Sequence, residues 1–160
     1  MFLNLRKRKK RISPEKEKDS KTSTEYNIEG MCSSDINVSL CSTPSLAFLG
    51  DAVYSLMARE YLMKKTNCTA NVLHKMSLSF VSAAAQAKAA LALKPFLSQS
   101  EMAIYKRGRN TRTSHKPKNQ TGANYNSATG LEVLFGHLYL TYQTERIKEL
   151  FNIIADELGE

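Results

Sequence analysis

The stretch Leu46-Ala47-Phe48-Leu49-Gly50-Asp51-Ala52-Val53-Tyr54 sets a single acid among apolar and small side chains. Just upstream, Thr43 followed by Pro44 supplies an N-cap and a first helical position. Leu46, Leu49, Val53 and Leu56 then recur at alternating spacings of three and four, which predicts an amphipathic helix running to about Lys64. Working outward, a second helix starts near Asn71 and carries Val72, Leu73, Met76, Phe80 and Val81 into the alanine-rich run 83–92, stopping before Pro95. Ser98-Gln99-Ser100-Glu101 has the pattern of a capping box, so a short third helix takes Met102, Ile104 and Tyr105 up to Gly108. A fourth begins at about Asn126 with Leu131, Leu134, Phe135, Leu138 and Tyr139 on its apolar face. A fifth, with Ile147, Leu150, Phe151, Ile154 and Leu158, ends at Gly159. No segment calls for a strand, and the expected class is all-α.

Composition agrees. In 160 residues, seven Gly and four Pro are few for a turn-rich β fold, and 42% hydrophobic residues suffice for one well-buried domain. Cys32, Cys41 and Cys68 have no ligand spacing with His74, His115 or His137, so zinc is not expected and reduced thiols in a cytoplasmic protein are. At the amino terminus the apolar residues precede the basic run 6–11 and no apolar core follows it. No run approaches the ~20 apolar residues that span a bilayer. Neither a secretory signal nor a membrane partner is expected.

The net charge of +8 points to an anionic partner, with nucleic acid ahead of a lipid surface. Residues 1–25 hold nine Lys/Arg and four Asp/Glu, so a net +5 belongs to a polar leading segment. Residues 1–40 are therefore expected to be a basic, disordered extension, and 41–160 the folded domain. Inside that domain Glu101 is the only acid between Glu60 and Glu132, against eleven Lys/Arg. Six of the eleven (Lys106, Arg107, Arg109, Arg112, Lys116 and Lys118) fall with Asn110 in an acid-free stretch whose breakers and polar residues predict a long basic loop, at about 106–125. Its expected role is contact with phosphates. The alternatives are a solvated loop and, on charge alone, a helical DNA-binding regulator; the latter is weakened because the basic residues cluster in a loop, not in a recognition helix.

Two acids stand in apolar company: Asp51, and Glu132 within Ala128-Thr129-Gly130-Leu131-Glu132-Val133-Leu134-Phe135-Gly136. A carboxylate buried alone is costly, so each needs hydrogen-bond donors, a basic partner or a metal ion. Spacing alone leaves open a cap or kink role for Asp51 beside Gly50, and an ordinary exposed helix position for Glu132.

The residues 46–54 resemble the signature helix of the ribonuclease III family, most closely its small bacterial Mini-ribonuclease III branch. Further blocks agree in order: Asn71-Val72-Leu73-His74, Val81-Ser82-Ala83-Ala84-Ala85-Gln86-Ala87, Lys106-Arg107-Gly108-Arg109-Asn110, and 128–140. The resemblance covers roughly residues 45–158. It implies a homodimeric helical bundle like the ribonuclease III endonuclease domain. The implied activity is Mg²⁺-dependent cleavage of double-stranded RNA, with Mn²⁺ a possible substitute, Asp51 and Glu132 as catalytic metal ligands, and 5′-phosphate and 3′-hydroxyl products. The implied substrate is a precursor 23S ribosomal RNA stem, with a large-subunit ribosomal protein as a possible helper. Larger family members place a further Glu and Asp where this chain has Ala47 and Thr129, a reduction similar to that of the small branch. No separate double-stranded RNA-binding domain is expected, which leaves the basic loop to hold RNA. The same reduction motivates one rival, a catalytically silent RNA-binding or ribosome-assembly factor on this fold.

Overall fold

Ser42, one residue ahead of the expected cap, opens the first long helix: its hydroxyl accepts the Ser45 N–H at 3.2 Å, so Thr43 and Pro44 both lie inside α1 (Thr43–Lys65). The computed structural model describes residues 36–111 and 122–159, which fall in one compact unit. All regular structure among them is helical. Residues 1–35 of the expected extension, and Arg112, Lys116 and Lys118 of the expected loop, lie outside the described residues. The helices after α1 are α2 (Ala70–Val81), α3 (Ala83–Leu93), α4 (Gln99–Arg109), α5 (Gly122–Leu140) and α6 (Thr144–Leu158). Before α1, a 3-10 turn at Val38–Leu40 lets Val38 and Cys41 pack near Leu46 and Val133, while Leu40 points to solvent.

The sequence reading of one helix through 70–92 is corrected to two. Ser82 closes α2, donating its N–H to the Leu78 carbonyl at 3.2 Å, and opens α3 by accepting the Ala85 N–H at 3.3 Å. The two axes differ by 51°. A serine cap inside an alanine-rich run carries neither Gly nor Pro to announce it. The basic loop is corrected as well. Lys106, Arg107 and Arg109 are helical, in the last turn of α4, and Asn110 is its C-cap. At the other end residues 122–125 already belong to α5. Gly108 does not break α4, because it is a contact position: a Cβ there would meet Val133 Cβ at 2.8 Å and Gly130 Cα at 2.9 Å.

The central element is α5, buried along most of its length and covered by α1, α3 and α4. Tyr54, Phe80, Phe135 and Phe151 form the aromatic heart of the core. The Tyr54 ring stands edge-on to Phe135 at 5.4 Å, and its hydroxyl donates to the Phe80 carbonyl at 3.3 Å. Each such ring removed from water contributes about 2–3 kcal/mol. Two glycines let α1 cross α5 at backbone contact. A Cβ on Gly50 would run into the Glu132 carbonyl, and one on Gly136 into that of Leu46. This crossing fixes the position of the site, since Asp51 follows Gly50 directly and Glu132 is the residue Gly50 touches.

The candidate active site

An open cleft of about 420 Å³ lies where α1 meets α5. From α1 it is lined by Pro44, Ala47, Phe48, Asp51 and Ala52, and from α5 by Tyr125, Thr129 and Glu132. The spacings 47, 48, 51, 52 and 125, 129, 132 are those of single helix faces. The crossing therefore brings together the two acids named from the sequence, and with them Ala47 and Thr129. The two acids differ in exposure: Asp51 is exposed at the cleft despite its apolar neighbours in the sequence, and Glu132 is half-buried. Among the described residues, none that lines the cleft is a Lys, Arg or His.

Burial and the neighbouring Asp51 charge together push the Glu132 carboxyl up to about 7, against the opposing effect of a hydrogen bond from Gln86. Gln86 was not singled out as a site residue from the sequence. It sits one turn into α3, is 2% exposed, and its Nε2 donates to Asp51 Oδ1 at 3.5 Å. The signal was an amide four residues after a serine cap in an otherwise alanine-rich helix, which carries no meaning until the Ser82 bend is known. Thr129 turns its hydroxyl onto its own helix, donating to the Tyr125 carbonyl at 3.1 Å.

Thr111 lines the same cleft, so the basic end of α4 leads directly to it. There Lys106, Arg109 and Asn110 are exposed. Arg107 is partly spent on the fold: its Nε donates to Thr43 Oγ1 at 3.1 Å and its Nη2 to the Cys41 carbonyl at 3.0 Å, tying α4 to the start of α1. Cations at a helix C-terminus also suit the helix dipole, so their presence is explained in part without a ligand.

No group of three or more His, Cys, Asp or Glu side chains able to hold a metal occurs among the described residues. The donor set is two carboxylates. That fits a hard divalent ion which keeps much of its water, as Mg²⁺ does, and fits Zn²⁺ poorly, since among the described residues no His or Cys lines the cleft. An acid held up to about 7 by burial and by its neighbour's charge is itself a position where a cation relieves repulsion. No described single helix is long and apolar enough to cross a membrane.

A family model of the ribonuclease III domain matches residues 44–143. The chain is similar to a Mini-ribonuclease 3 of Enterococcus faecalis, with 42% identity over 118 residues that cover 72% of this chain and 89% of that protein. It is similar also to the Mini-ribonuclease 3 of Brevibacillus brevis, 45% identical over 105 residues covering 66% and 78% of the two chains. Among solved structures, a Fusobacterium nucleatum protein determined by X-ray crystallography matches with a TM-score of 0.65 and 32% identity, over 72% of this chain and 92% of that one.

Proposed function

The chain belongs to the ribonuclease III family, and from that membership we propose that it is a metal-dependent endoribonuclease that hydrolyses double-stranded RNA. The observation that carries the reading is the shared cleft of Asp51 and Glu132, held on two helices that cross at Gly50 and Gly136. Asp51 and Glu132 are the residues that would hold Mg²⁺, or Mn²⁺ in its place. When bound, such an ion supplies Lewis acidity at the scissile phosphate and lowers the pKa of an attacking water. The protein's own contribution is placement: Gly50 brings the two carboxylates to one face, and Gln86 donates to Asp51 and favours the ionised form of Glu132. No side chain is needed as a nucleophile. Water attack in line with the 3′ oxygen leaves a 5′-phosphate and a 3′-hydroxyl.

Lys106, Arg109 and Asn110 at the cleft's edge, with Arg112, Lys116 and Lys118 beyond the described residues, are the proposed phosphate contacts; Arg107 contributes whatever donor capacity its two internal bonds leave. Such contacts read the backbone of an A-form duplex and not its sequence. The active unit is proposed to be a homodimer in the cytoplasm. Phe48, 84% exposed, and Leu56 and Met63 form an apolar line along α1 that starts at the cleft, a surface a second copy would cover. The proposed substrate is the stem of a 23S ribosomal RNA precursor, with a large-subunit ribosomal protein as a possible helper.

The test is incubation of the purified protein with a labelled RNA duplex and Mg²⁺ or Mn²⁺, beside Asp51→Asn. Cleavage by the parent and none by the variant is expected. Binding without cleavage by the parent would instead support the silent RNA-binding factor, a reading favoured by the neutral Ala47 and Thr129 in the cleft.

A further inference from the structure

Gln86 is a buried amide in the first turns of α3, the helix that follows the bend at Ser82. Its Nε2 lies 3.5 Å from Asp51 Oδ1, and the same amide is close enough to Glu132 to favour its ionised carboxylate. A primary amide carries two N–H donors, enough to serve two acids at once. Each donated bond occupies one lone-pair direction of a carboxylate and leaves the rest for another partner. Being neutral, the amide holds the two negative charges together without cancelling them. A Lys in this place would cancel them and compete with any cation. Ala47 and Thr129, which share the cleft lining, carry no charge, so the orientation of Asp51 and Glu132 rests more heavily on neutral donors.

We propose that Gln86 is a positioning residue: from α3 it clamps Asp51 of α1 to Glu132 of α5 and sets the affinity of the pair for a divalent cation. This inference rests on the reading of Asp51 and Glu132 as metal ligands. Loss of a hydrogen-bonding group that orients metal ligands typically costs about 10–100-fold in metal affinity.

The test is Mn²⁺ binding to the protein without RNA, by calorimetric titration and by the rise in thermal midpoint, for the parent, Gln86→Met, Gln86→Lys and Asp51→Asn. Met matches Gln in length and volume but has no donor, so Gln86→Met is expected to fold and to bind Mn²⁺ roughly tenfold or more weakly. In cleavage assays the half-saturating metal concentration is expected to rise by the same factor, with the rate at saturating metal reduced far less. Gln86→Lys probes the juxtaposition itself. Its ammonium is expected to raise the metal-free melting temperature above that of Gln86→Met, and to abolish the Mn²⁺-dependent rise. Gln86→Met binding Mn²⁺ as tightly as the parent would overturn the positioning role alone, as would a Gln86→Lys protein less stable than Gln86→Met. A parent that binds no Mn²⁺, or binds it no better than Asp51→Asn, would overturn the metal-ligand reading and the clamp with it.

Discussion

Glu101 and Glu132 lie on packed neighbouring helices, α4 and α5, the first buried and the second half-buried, yet their surroundings push them in opposite directions. Glu101 meets Arg146 face to face, with Nε–Oε1 at 2.8 Å and Nη2–Oε2 at 2.9 Å, and completes its capping box by accepting the Ser98 N–H at 2.7 Å. Hydrogen bonding to Arg146 first, then to Ser98, holds its carboxyl below the ordinary range in spite of burial. Glu132 has no cation in its cleft lining among the described residues, and burial together with the facing Asp51 pushes it up to about 7. A carboxylate supplied with every partner it needs is part of the scaffold. One left short of positive charge beside another acid, in an open cleft, is arranged for something that arrives from outside.

The largest expected effect comes from separating the helices that create the contrast. Gly50→Ala forces a methyl group into the Glu132 backbone and is expected to destabilise the protein by about 3 kcal/mol or more, with RNA cleavage lost. Denaturant unfolding measures it, and a change below about 0.5 kcal/mol would mean that the helices do not need this contact. Next, Glu101→Gln removes charge from the scaffold pair while Arg146 stays partly buried, 23% exposed in its side chain. A loss of about 2 kcal/mol is expected, discounted from a fully buried pair because Arg146 reaches water and keeps Glu149 at 2.7 Å and the Phe96 carbonyl at 2.7 Å. The cleavage rate at a temperature well below the transition is expected to change little.

Glu132→Gln reverses the sign. With its folded-state pKa raised from 4.5 to about 7, Glu132 binds more protons folded than unfolded, so its contribution is fully present below 4.5 and is lost as pH rises through about 7. Glu101, with its pKa lowered, contributes stability above 4.5 that is lost as pH falls. In metal-free protein at pH 8, Glu132→Gln is expected to stabilise by about 1–2 kcal/mol, discounted for the open cleft, and at pH 4.5 to change little. Thermal melts across that range check both arms, and saturating Mg²⁺ is expected to erase the advantage at pH 8. The smallest effect concerns the one buried side-chain polar atom without a partner among the described residues, the Tyr105 hydroxyl. Tyr105→Phe is expected to be neutral or stabilising by a few tenths of a kcal/mol by the same melts.

Much of this arrangement was legible in the sequence where the signal is local. The capping box at Ser98–Glu101, the end of α6 at Gly159 and the helical face 46–56 are short-range patterns, and the two isolated acids stood out by composition. What escaped reading depends on contacts distant in the chain. Gly108 looked like a breaker because its neighbours across the fold, Val133 and Gly130, are invisible in sequence. Arg107 counted as a free cation, yet it reaches back 66 residues to the Cys41 carbonyl. Arg146 gave no sign that it closes on Glu101, 45 residues earlier. The Ser82 bend, and with it the place of Gln86 beside Asp51, needed the packing of α3 against α5.

The central claim, that Glu132 is a ligand for a catalytic ion and Glu101 a part of the scaffold, is tested most directly by assaying both Gln variants at pH 8 on a labelled RNA duplex, with a thermal melt of each. Glu132→Gln is expected to lose cleavage by at least about a hundredfold while melting, metal-free, at or above the parent. Glu101→Gln is expected to keep cleaving while melting lower. A Glu132→Gln protein that cuts the duplex at the parental rate would contradict the account.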